Sequence, residues 1–211
     1  MNDEAYKKCI ELGSKYSQDK IVLASLWKQL EKQYTQKNRY YHNLEHIGAM
    51  LKQSDECKND LNHKDTIDFG IWFHDVIYKS TKKNNEEKSA EFAKETLKNF
   101  SIEEHKIEKV YNLILSTKKH QIIDSNDTDN AYMLDFDLSI LGKSWKVYEQ
   151  YIQQIRKEYK IYPDFLYKLG RKKVLKTFLD RKMVYFTEKY QTLYEEQARE
   201  NLKKELKILN S

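Results

Sequence analysis

Two histidines stand four residues apart in Arg39-Tyr40-Tyr41-His42-Asn43-Leu44-Glu45-His46. On a helix that spacing turns about 400°, which puts both imidazoles on one side, about a turn apart. Imidazoles so placed can share one metal ion, or one can bind it while the other moves a proton beside it. Further along, His74-Asp75 follows the apolar run Phe69, Ile71, Trp72 and Phe73. A carboxylate buried without a partner is costly, and a bound cation would compensate it. A third carboxylate segment is Leu134-Asp135-Phe136-Asp137-Leu138, again among apolar residues. Imidazoles and carboxylates together make a mixed nitrogen and oxygen donor set. It suits Mn, Fe, Co, Ni or Zn with open water positions, and it does not suit a closed structural zinc site.

The elements that must position these groups read as helices. The chain has 211 residues with one Pro and five Gly. An all-β sandwich or barrel needs many more turn residues, and no Gly-rich phosphate loop is present for a Rossmann or P-loop fold. Helices are expected near residues 4–12 (ended by Gly13), 19–34, 41–57, 65–78, 86–100, 102–117, 130–141, 144–160, 164–180 and 187–209. Ser101, with Glu104 three residues on, reads as a capping box. Residues 121–130, rich in Asp, Asn and Ser, read as the clearest loop. The 65–78 segment is apolar on most sides and belongs in a core. In the last helix Tyr190, Leu193, Tyr194 and Ala198 should form the packed side. The expected fold is all-α, a bundle of about nine to ten helices in a single domain over residues 1–211.

Composition limits the partners. The net charge of +5 suits anionic small molecules, and interleaved Glu argues against a nucleic-acid binder. Nothing approaches about 18 consecutive apolar residues, so no membrane partner is expected. Cys9 and Cys57 have no CxxC partner, which rules out a disulfide framework. The charged N-terminus has no apolar signal region, and a reduced, cytoplasmic location is expected.

The ordered set His46, His74-Asp75, Asp135 resembles the HD superfamily of metal-dependent phosphohydrolases, and Tyr41–His46 resembles a signature of cyclic-nucleotide phosphodiesterases. A closer resemblance is to a small bacterial group of HD-superfamily hydrolases. Its recurring pieces match residues 39–46, 72–78, 85–90 (NEE-x-SA), 117–120, 135–142 and 155–159, so the likeness spans about 39–181. The resemblance implies an HD-type domain whose metal-binding core is that span, with the terminal helices packed on it. It implies His46, His74, Asp75 and Asp135 as metal ligands, with Asp137 the alternative to Asp135. Asp137 could instead cap a helix or pair with Arg156. By position His42 would be the general acid. The cofactor would be a divalent ion (Mn, Fe, Co, Ni or Zn), with a second Mg or Mn as an option. The substrate would be a phosphate ester or anhydride, by family analogy a nucleotide.

Other residues fill out that reading. Asp75 and Glu86 are catalytic candidates with His42; Glu86, in a first helical turn where acids are favoured anyway, could activate water or sit beside a second metal. Arg39, Asn43, His120, Arg156 and Arg171 are substrate-contact candidates, since a guanidinium can hold phosphate by two bonds. His63 and His105 read as surface residues. Two alternatives stand beside hydrolysis: an HD-fold di-iron oxygenase, and a non-catalytic metal- or nucleotide-binding regulatory protein. The long last helix could serve a homodimer or simply close the domain.

Overall fold

The computed structural model describes residues 2–123 and 127–210, so part of the expected 121–130 loop lies outside the described residues. Among them the chain is all-helical, with ten α-helices and no strand. They are α1 Asn2–Ser14, α2 Lys20–Tyr34, α3 Leu44–Glu56, α4 Lys64–Phe73, α5 Asn85–Leu97, α6 Glu104–Thr117, α7 Thr128–Leu138, α8 Trp145–Glu158, α9 Asp164–Leu179 and α10 Glu188–Asn210. A short 3-10 turn, Ser139–Gly142, separates α7 from α8. The chain forms two compact units that divide within α7, one up to Met133 and one from Leu134 onward.

In the first unit α4 is the central element, packed by α1, α3, α5 and α6. Every residue from Thr66 to Phe73 is buried, as expected of a helix that is apolar on most sides. Gly70 lets another element come close: a Cβ there would lie 2.9 Å from the Met133 sulfur. Gly13 does not end α1, as expected, but lies inside it. A Cβ at Gly13 would sit 2.7 Å from a Leu23 methyl, so its small size serves the α1–α2 contact. Both cysteines are buried and free, and burial pushes the Cys9 thiol up to about 12.

Two further expectations are corrected here. The Ser101–Glu104 capping box does not form: α6 starts two residues later, behind Glu103, and the Ser101 amide donates to the Tyr16 carbonyl. Tertiary anchoring to Tyr16 outcompetes the local cap. In the second unit α10 packs on α9 and on the 3-10 turn. Its packed side holds Tyr190, Ala198 and Leu202, whereas Leu193 is 59% exposed.

Candidate metal centre

Residues 36–43 form a turn rather than a helix, and α3 starts at Leu44. His42 and His46 are therefore not successive turns of one helix. Asn43 is the N-cap: its side-chain oxygen accepts the amides of Glu45 and His46, at 2.8 and 3.4 Å, and its amide donates to the Tyr40 carbonyl. Such a cap stabilises a helix start by about 1 kcal/mol, and here it fixes the turn that carries His46. Both ends of the Asn43 amide are thus committed to backbone.

The second motif sits where α4 stops. His74 is the C-cap residue of α4 and Asp75 lies in the turn beyond it. Arg39 joins the two motifs. Its buried guanidinium donates to the carbonyls of His42 at 3.0 Å, Asp75 at 2.6 Å and Val76 at 2.8 Å, and it lies between the Tyr34 and Tyr78 rings. It holds backbone in place, a role its charge alone did not announce.

The outcome is a compact cluster of His46, His74 and Asp75. The two Nε2 atoms are 3.3 Å apart. Asp75 Oδ2 is 3.0 Å from His74 Nε2 and 4.0 Å from His46 Nε2. Atoms bound to one ion at about 2.1 Å lie roughly 3.0 to 3.4 Å apart in octahedral or tetrahedral geometry, so two of these edges already fit. The imidazoles are almost wholly buried, and Asp75 keeps 15% side-chain exposure. The tautomer of His74 is decided by its other nitrogen. Nδ1 lies 2.9 Å from the Ile71 carbonyl, which can only accept, so Nδ1 carries the proton. In neutral His74 the Nε2 lone pair then faces the Asp75 carboxylate oxygen. Two acceptors at 3.0 Å repel unless a positive charge lies with them, either a proton on Nε2 or a metal ion.

Around this cluster the first unit places other expected residues. His42 is half-buried, stacks on Tyr78 at 4.3 Å, and has its ring 6.1 Å from that of His46. Tyr41 packs on both imidazoles. Glu86 lies in the first turn of α5. Burial raises its pKa, with the charges of Asp75 and Glu87 acting in the same direction. Its neighbour Glu87 pairs with Lys118 at the end of α6. His120 follows α6 with φ 45°, the one non-glycine residue of positive φ among the described residues. Sequence reasoning missed Ser89, whose hydroxyl accepts the Ile77 amide and donates to the Ile77 carbonyl, tying α5 to the turn after Asp75. Its signal was the Ser-Ala pair of the NEE-x-SA piece. His105 is exposed as expected, but the half-exposed His63 also contacts the buried Asp129 at 3.1 Å.

The remaining expected residues belong to the second unit, where each is engaged. Asp135, wholly buried, accepts the Phe186 and Thr187 amides at 2.8 Å each and the Thr187 hydroxyl at 2.7 Å. Burial nonetheless pushes its pKa up to about 6. Arg171 pairs with Glu205 at 2.7 Å. Arg156 pairs with Asp164, at 2.5 Å, rather than with Asp137, and donates to the Tyr159 and Tyr162 carbonyls.

Comparison of the chain with models of known protein families, with curated proteins and with solved structures finds no match.

Proposed function

We propose that the chain is an HD-type metal-dependent phosphohydrolase that cleaves a phosphate ester or anhydride of a nucleotide or related small molecule. The observation that carries this reading is the acceptor-to-acceptor contact of His74 Nε2 with Asp75 Oδ2, with His46 Nε2 completing the triangle. The donor set fits a divalent transition ion: two imidazole nitrogens and a carboxylate, with the carboxylate side reaching solvent. A metal held by His46, His74 and Asp75 would polarise a phosphoryl oxygen and lower the pKa of a bound water.

The chain's own residues do the rest. The Ile71 carbonyl keeps His74 in the tautomer that presents Nε2, and Asn43 and Arg39 hold the two turns in register. His42, half-exposed beside His46 and steadied by Tyr78, is placed to protonate a departing oxygen. Glu86, with its raised pKa, is the candidate for accepting a proton from water. We assign the activity to the cytoplasm, because free cysteines are stable in a reducing compartment.

The same short contact would also arise without a metal: a proton on His74 would make a buried imidazolium–aspartate pair. Elemental analysis of the purified protein decides between them, alongside a screen of phosphoesters and nucleotides with added Mn, Mg, Co or Ni. The expected result is bound transition metal and metal-dependent phosphate release, both lost in a folded Asp75→Ala variant. Phosphate release that persists after the metal is lost removes this mechanism. A metal-free, inactive, folded wild type assigns the cluster to the proton.

A further inference from the structure

The corner between α8 and α9 exposes apolar side chains. Ile161 is 67% exposed, Phe165 64%, Leu169 63% and Leu166 45%. The opposite side of α9 buries Tyr167, Arg171, Leu175 and Phe178, so the helix already has its packed face. At about 100° per residue, Phe165, Leu169, Lys172 and Lys176 fall on one stripe, with Leu166 and Lys173 beside it. The outer face is apolar along its first half and basic along its second. Lys157 and Lys160, at the end of α8, and Lys168 are exposed as well. Among residues 157–176 the carboxylates are Glu158, which is buried, and Asp164, which is held by Arg156.

We propose that the α8–α9 corner is a docking surface for an anionic lipid bilayer. Ile161, Phe165, Leu166 and Leu169 enter the boundary between headgroups and acyl chains, and the lysines around them meet lipid phosphates. Lysine stems cover apolar surface while their ammonium groups stay at headgroup level. The short apolar patch and the charge select this occupant. A partner helix needs an apolar groove along its length, and this face is apolar over its first half only. A two-fold contact with a second copy would press the same lysine-rich patch against itself. No helix among the described residues is long and apolar enough to cross a membrane, but attachment at the interface needs no spanning helix. The sequence expectation of no membrane partner rested on spanning alone.

The test sediments the full chain with vesicles of phosphatidylcholine, alone or mixed with phosphatidylglycerol, at low and high salt. Binding is expected to the anionic vesicles, with release at high salt. Phe165→Ser/Leu169→Ser and Lys172→Glu/Lys173→Glu should each weaken it by about tenfold or more, with circular dichroism unchanged. No sedimentation with anionic vesicles overturns the proposal, as does equal binding by both folded variants. A dimer in analytical ultracentrifugation that dissociates with Phe165→Ser/Leu169→Ser assigns the face to a second copy instead. Polyglutamate binding that survives salt sufficient to release the vesicles assigns it to an acidic protein.

Discussion

Each unit buries a cluster of ionisable side chains, and the two differ in where the compensating charge comes from. In the second unit the Glu205 carboxylate accepts from Arg171 Nε at 2.7 Å and Nη2 at 3.0 Å, and from the Tyr148 hydroxyl at 2.5 Å. The Tyr151 hydroxyl accepts a further Arg171 proton. The set is neutral and its donors and acceptors match. In the first unit two imidazole nitrogens and a carboxylate oxygen, from His46, His74 and Asp75, come together within 4.8 Å. Arg39 is close by, but it spends its protons on the Asp75 and Val76 carbonyls. A cluster that supplies its own cation is complete as architecture. Where two imidazoles meet a carboxylate, the compensating charge would come from a proton or a metal.

The largest expected effect is in the complete cluster. Arg171→Met leaves Glu205 buried without its partner and should cost about 3–5 kcal/mol of stability. The double variant Arg171→Met/Glu205→Leu should recover most of that loss in urea titrations. If the single and double variants lose the same amount, the pair is not self-contained and the contrast fails.

The acceptor cluster should behave in the opposite sense. Mn at about a hundredfold over its Kd should stabilise the wild type by about 2.7 kcal/mol and leave Asp75→Ala unmoved, read by thermal shift. Without metal, Asp75→Ala should be no less stable than wild type, since it removes one of the opposed acceptors. A clear loss of stability in metal-free Asp75→Ala would show that a proton already completes the site.

The smallest effect sharpens the comparison within the first unit, which also has a self-compensated carboxylate. Burial would raise the pKa of Asp129, but Lys109 at 2.9 Å, the Asn62 amide and His63 outweigh it and hold it below the ordinary carboxylate range. A depressed folded pKa means stability that is present above the unfolded value near 4 and lost as pH falls through the folded one. The urea-midpoint gap between wild type and Asp129→Asn should therefore hold at pH 7 and pH 5 and narrow below about pH 4. A gap independent of pH would contradict this.

Much of the fold was legible because it depends on local pattern. The number of helices followed from periodicity and the near absence of Pro and Gly. The burial of α4 followed from a sequence that is apolar on most of its sides. At the site, the residue types and the pairing of His46 with His74-Asp75 were readable. The placement of His42 was not, because the Asn43 cap starts α3 after it and overrides the helical spacing. Arg39 and Arg171 look alike in sequence; one clamps carbonyls and the other neutralises Glu205, 34 residues away. The partners of Asp135 lie about fifty residues ahead of it, beyond any local rule.

The sequence by itself determined the helices, the apolar face of each, and the stock of imidazoles and carboxylates, since these follow from side-chain type and neighbours a few residues apart. Only the tertiary structure decided which ionisable groups share a space. Charge compensation is a matter of distances of about 3 Å between segments that the chain separates by tens of residues. The approach of His46 Nε2 to His74 Nε2, 3.3 Å apart across 28 residues of chain, is an instance of that decision. It brings two imidazoles and the Asp75 carboxylate into one buried cluster.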